Sequence, residues 1–165
     1  MKKLCFAIAV FLLNCSISLL SQDATPKLNQ LKLMQDLWVG KVQHTFSEDS
    51  VEVSETKQFG NAFEYKTYLV VNGKESFLNG GSFIYSPKED KFKGFVYRPS
   101  GNYQTWIGSF TTETRLSIDI VQNLNPEKVL IKEVVESESP TNYTATFYNL
   151  DGTKRGEYKY TRETK

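Results

Sequence analysis

Residues 62–86 read AFEYKTYLVVNGKESFLNGGSFIYS. Before Asn72-Gly73, Phe63, Tyr65, Leu69 and Val71 fall on one face and Glu64 and Lys66 on the other, the period of two that marks a half-buried strand. Asn72-Gly73 supplies the positive φ angles of a tight hairpin turn, so two strands spanning 62–71 and 74–86 fold back on each other. Gly80-Gly81 interrupts the second strand and reads as a bulge or bend, a common corner in curved sheets.

Extending this reading in both directions predicts ten strands, at 37–46, 51–59, 62–71, 74–86, 91–98, 102–110, 115–122, 128–136, 142–149 and 155–163. Pro87 opens a charged turn, Pro99 with Gly101 breaks the chain, and Asp151-Gly152 is a second hairpin signal. No connection is long enough for a crossover helix, which disfavours parallel pairing and leaves sequential hairpins. An even strand count lets the first and last strands pair antiparallel and removes the sheet edges. The expected fold class is therefore all-β: a single up-and-down antiparallel barrel of about ten strands with a short N-terminal helix. A two-sheet sandwich is the alternative that fits the same alternation. Thr25 and Pro26 are the expected N-cap and first position of the helix, with Leu28, Leu31 and Met34 as its apolar stripe.

Met1, Lys2 and Lys3 precede an uncharged, mostly apolar stretch from Leu4 to Leu13, the layout of a secretory signal. Asn14 and Ser16 interrupt it well short of the roughly 20 apolar residues that cross a bilayer, so no transmembrane segment is expected in the mature chain. Cleavage after Ser21 divides the chain into a signal peptide (1–21), a lead-in with the helix (22–36) and a barrel (37–165), and the expected location is periplasmic or secreted. A lipoprotein anchored through Cys15 is the competing reading; Asn14, where a small residue is preferred, argues against it. The two cysteines, Cys5 and Cys15, both fall in the signal, so the fold carries no disulfide once cleaved. About 140 residues suffice for one core without cross-links. The 20 basic and 19 acidic residues are interspersed, which argues against nucleic acid or an anionic membrane surface as partner.

Charged residues sort the strand faces. Lys91 and Lys93 must face water, which turns Phe92, Gly94, Val96 and Arg98 inward. The same rule places Leu116, Ile118 and Ile120 inside, then Tyr143, Ala145 and Phe147, then Tyr158, Tyr160 and Arg162. On the eighth strand two sets compete, and Val129, Ile131, Glu133 and Val135 are chosen because they include one charge where the other set includes two.

Trp38-Val39-Gly40, following Leu33 and Leu37, resembles the tryptophan-and-glycine start of the calycin group: lipocalins, nitrobindin-like proteins and related bacterial secreted barrels of unknown function. The resemblance implies that Trp38 opens the first strand facing inward, taking Gly40, Val42, His44 and Phe46 with it. It also implies that Arg162, in Tyr160-Thr161-Arg162, packs across Trp38 and closes the barrel base. Asp36 departs from the pattern, standing where bacterial relatives often have glycine.

The inward set is mainly apolar and aromatic, with His44, Tyr65, Arg98, Glu133, Tyr143 and Tyr158 as candidate ligand-binding residues and Trp38 and Arg162 as structural ones. Arg98, beside Pro99, belongs at a rim. A single histidine and no mature cysteine argue against zinc, and no metal site is expected. No Gly-x-Ser-x-Gly elbow or glycine-rich phosphate loop occurs, so no catalytic residue is assigned. Haem, which nitrobindin-like barrels bind through a histidine in their C-terminal half, is not expected because that half has none, and no cofactor is assigned. The reading favoured is a non-catalytic barrel holding a small apolar or amphiphilic molecule near His44, at the end away from Trp38. The alternatives are an enzyme using His44 with Tyr158 or Glu133 as acid and base, and a side-chain-filled barrel that is structural or binds a partner.

Overall fold

The computed structural model describes residues 28–163. The expected signal peptide, its cleavage point and the Thr25-Pro26 helix start lie outside the described residues. One helix, α1 (Gln30–Trp38), leads into ten strands: β1 (Gly40–Ser47), β2 (Ser50–Phe59), β3 (Ala62–Val71), β4 (Lys74–Ser86), β5 (Lys91–Tyr97), β6 (Tyr103–Thr112), β7 (Arg115–Val121), β8 (Val129–Ser137), β9 (Asn142–Tyr148) and β10 (Lys154–Arg162). Every strand runs antiparallel to its sequence neighbours, and β1 pairs with β10, so the sheet closes into a barrel, not a sandwich.

The closing seam is the shortest ladder, with Val42 opposite Arg162 and Gln43 opposite Thr161. Two further bonds extend it. The Glu163 N–H donates to the Lys41 carbonyl at 3.1 Å, and His44 Nδ1 lies 2.7 Å from the Lys159 carbonyl oxygen. A carbonyl only accepts, so Nδ1 carries the proton in this contact and His44 acts as a side-chain rung across the seam.

Asn72 and Gly73 both take positive φ, 49° and 75°, as their hairpin requires; in the Asp151-Gly152 turn only Gly152 does, at 84°. Gly80 and Gly81 are not a bulge. They pair in regular register with Lys66 and Tyr65, and the extra residue is Leu78, between the Thr67–Asn79 and Tyr68–Phe77 pairs. The glycines make room instead. A Cβ on Gly81 would collide with the Phe95 carbonyl oxygen and lie 2.7 Å from the Tyr65 hydroxyl.

Within the described residues the helix begins at Gln30, with Leu28, expected inside it, preceding it. Asn29 is its N-cap, its side chain accepting from the Lys32 N–H at 3.1 Å, and its buried stripe is Gln30, Met34 and Leu37. Leu28 and Leu31 pack at the edge of the core. The helix runs through Trp38, which is therefore its last residue and not the first of a strand. Val39 is extended, and Gly40 at φ 116° turns the chain into β1, a conformation that requires glycine.

Gln30 pins this helix across the barrel base. Its Nε2 donates to the Phe110 carbonyl at 3.3 Å and its Oε1 accepts the Phe110 N–H at 2.8 Å. The β5–β6 ladder ends at Phe92–Gly108, so Phe110 has no strand partner on that side. The Gln30 amide replaces the missing peptide group and satisfies both backbone atoms.

Below the middle of the barrel the interior is solid. Met34 and Leu37 from the helix meet Phe63, Phe83, Phe92, Phe110 and Leu116, with the Phe63 and Phe83 rings stacked at 4.6 Å. The outward faces carry Glu55, Lys57, Glu64, Lys66, Lys132, Glu136, Glu157 and Lys159, all exposed, together with exposed apolar residues such as Phe59, Ile84, Phe95 and Leu130. Among the described residues no helix is long and apolar enough to cross a membrane.

Candidate functional site

Above that base the barrel is hollow. A cavity of about 230 Å³ extends from Trp38 and Trp106 up to Asn79, Arg98, Gln104 and Phe147. The change in side-chain size explains where the packing stops. Where the base uses Phe and Leu, the upper levels use Ser54, Thr56, Thr67, Val96, Thr105 and Ala145, which cannot meet across a ten-stranded interior. Their hydroxyls are satisfied within the wall: Thr67 donates to Ser54 Oγ at 3.1 Å, and Thr105 to the Val121 carbonyl at 2.7 Å.

Of the residues expected to bind ligand, Tyr65, Arg98, Glu133 and Tyr143 line this cavity. The choice of face on β8 was therefore correct, with Glu133 inside and Lys132 and Glu136 exposed. His44 and Tyr158 do not line it. They pack on each other at a ring separation of 5.4 Å, with the half-exposed Phe46 4.6 Å from the imidazole, at the rim of the seam. The site is accordingly centred lower in the barrel than the expected position beside His44.

Trp38 forms part of the cavity floor. Its ring lies edge-on to Phe83 and Trp106, at 5.6 and 6.2 Å, and its buried Nε1–H has no acceptor among the described residues. The expected stack with Arg162 is not formed among the described residues. Arg162 lines a separate surface groove with Asp36, Leu37, Phe110 and Glu138. The reason is the helix: once Trp38 belongs to α1, its ring enters the barrel from below while Arg162, opposite Val42 on the seam, is left outside the plug.

Sequence reasoning missed Glu52, Trp106, Thr67, Asn79 and Gln104 as lining residues. Glu52 belongs to the inward row Glu52, Ser54 and Thr56, whose polarity hides the face of β2 from an apolar-versus-polar sort. Trp106 was legible in principle. It lies opposite the inward Gly94, whose absent Cβ would sit 2.6 Å from the indole.

Electrostatically the cavity holds two acids and one base. Burial raises the Glu133 carboxyl from 4.5 to about 7, and no hydrogen bond or ion pair reaches it among the described residues. Burial also raises Glu52, against the opposing effects of His44 and of the Tyr160 hydroxyl, which donates to Oε1 at 3.4 Å. Tyr65, Tyr143 and Tyr160 are held well above the ordinary phenol range, by burial first; the negative charge of Glu133 adds to this for all three, and that of Glu52 for Tyr143 and Tyr160. Their hydroxyls therefore stay protonated as donors. Arg98 is exposed at the rim, bonded to Gln104 Oε1 at 3.2 Å. Among the described residues no group of three potential ligating side chains could hold a metal ion.

No family model matches the chain, and no curated protein matches it closely enough to count as a relative. The reading of the site therefore rests on its geometry.

Proposed function

We propose that this protein is an exported, non-catalytic barrel of calycin-like type that holds a small amphiphilic molecule. The observation that carries the reading is the half-hollow interior: a solid base closed by α1 under a cavity of about 230 Å³ that is walled by aromatic rings and a few polar groups. Such a mixture suits an apolar body with one oriented polar head. Lys2-Lys3 and the apolar Leu4–Leu13 stretch support export to the periplasm or beyond. Acid–base chemistry by His44 is less well supported, because His44 and Tyr158 meet at the rim while Glu133 faces the cavity without them.

The test is native mass spectrometry of protein purified from its own host, combined with titration of lipophilic probes followed by tryptophan emission. Both tryptophans, Trp38 and Trp106, line the cavity and report on its occupation. A retained small molecule or saturable quenching is the expected result; a bare mass together with no response to any probe would defeat the carrier reading.

A further inference from the structure

The charges inside the cavity are unequally engaged. Arg98 stands at the exposed rim with its guanidinium bonded to Gln104. Glu52 accepts from Tyr160 and faces His44. Glu133 lies deeper on β8, opposite Ile118 on one side and Phe147 on the other, and has neither a hydrogen bond nor an ion pair among the described residues. Glu133 is half-buried, with its carboxylate opening on the cavity, and an ionised group partly withdrawn from water is stabilised by a counterion beside it. The cavity wall around it combines aliphatic residues, Ile118, Ile120 and Val135, with aromatic ones, Tyr143 and Tyr160 stacked at 4.9 Å together with Tyr65, Phe147 and Trp106. A carboxylate without a partner, in a cavity whose wall includes aromatic rings, attracts an organic cation through a charge-assisted hydrogen bond and contact with the rings.

We infer that the molecule held in this cavity is an organic cation, an apolar body carrying a single ammonium group, with Glu133 as its counterion and Tyr65, Tyr143 and Tyr160 around its head. The inference rests on the carrier reading and adds the sign of the head group. Binding is coupled to ionisation of Glu133, because only the carboxylate pairs with ammonium. The other charged and titratable groups lining the same cavity are Glu52 from β2, Tyr65 from β3, Arg98 beyond β5, Tyr143 from β9 and Tyr160 from β10, and the charge of Arg162, outside the cavity, also acts on Tyr143. The tyrosines remain neutral throughout the accessible range, so Glu133 and, less directly, Glu52 set the pH profile.

The experiment compares octylammonium, octan-1-ol and octanoate, three probes of one chain length and different charge, by tryptophan quenching at pH 7.5. Octylammonium is expected to bind about tenfold to a hundredfold more tightly than either of the others, the value of a charge-assisted bond. The Glu133→Gln change should remove most of the advantage of octylammonium over octan-1-ol. In the unaltered protein the octylammonium affinity should rise from pH 5 to pH 7.5 by up to about tenfold per unit below the carboxyl midpoint. This profile needs no variant and so stands even if Glu133→Gln fails to fold. Octanoate binding as tightly as octylammonium, or octylammonium binding that is indifferent to pH, overturns the inference while the carrier reading survives. If none of the three binds and the native mass is bare, the carrier reading falls and takes the inference with it.

Discussion

The Glu133→Gln substitution should change the stability of the empty barrel in a way that depends on pH. Glu133 titrates near 4.5 in an ordinary setting and near 7 in the folded barrel, raised by burial. Below about pH 4.5 it is protonated in both states and contributes nothing to the pH dependence. Between the two values the unfolded chain has released its proton and the folded one has not, so the folded state binds more protons and stability falls as pH rises. Two and a half units at about 1.4 kcal/mol each give a penalty of about 3.5 kcal/mol once pH is well above 7, of which roughly 2 to 3 kcal/mol develops between pH 5 and pH 8. Glutamine has the same shape and no charge. Urea unfolding followed by tryptophan emission at pH 5 and pH 8 should therefore show the variant gaining roughly 2 to 3 kcal/mol on the unaltered protein between the two conditions. Some decline with pH will remain in both, because the raised Glu52 acts in the same direction. A gap that is equal at pH 5 and pH 8, or one that narrows, would refute the claim that Glu133 sits unpaired in the cavity.

Other changes test the base. Gln30→Leu leaves the Phe110 N–H and carbonyl without partners and should cost about 2 to 4 kcal/mol in chemical denaturation; a loss below 0.5 kcal/mol would mean that the helix is not pinned there (a threshold taken from the usual size of surface effects, about 0.5 kcal/mol). Gly94→Ala drives a methyl group to within 2.6 Å of both Phe83 Cβ and the Trp106 ring, and should cost about 1 to 3 kcal/mol and alter the Trp106 emission. Arg162→Ala, by contrast, removes no stack on Trp38 and should cost about 1 kcal/mol or less by thermal melting. A loss approaching 3 kcal/mol would restore the cross-barrel contact that the resemblance implies.

The strand order was legible because it depends on local signals. Asn72-Gly73, Pro87, Pro99 with Gly101 and Asp151-Gly152 fall between alternating runs, and each separates two strands in the barrel. Charges at Lys91, Lys93, Glu157 and Lys159 decided which face of their strands met water, and the inward Phe92, Gly94 and Val96 of β5 and Tyr160 of β10 follow from them. The helix end was not legible in the same way. Leu33, Leu37 and Trp38 fit a helical stripe continuing from Gln30 and Met34 as well as the lead-in to a strand, and a polar residue, Gln30, holds the buried position that periodicity reserves for an apolar one. Only the unpaired backbone of Phe110, eighty positions along the chain, gives that glutamine its reason, and such a pairing has no local signature.

The placement of Trp38 then decides the placement of the site. A tryptophan on β1 would have left its height in the barrel to be counted along the strand, which puts the open cavity near His44. Carried on the helix, it comes up through the base and supplies the floor with Trp106, so the hollow begins directly above the two indoles. His44 is left to bridge the short β1–β10 seam through the Lys159 carbonyl, a structural task at the rim. Glu133 was recovered by a weaker rule, that a strand buries the face with fewer charges. The rule chose the right face of β8 without indicating what the buried charge is for. In the closed barrel that acid faces a cavity lined by Tyr65, Tyr143 and Tyr160 and has no ion pair among the described residues, and the proposed cation rests on this placement.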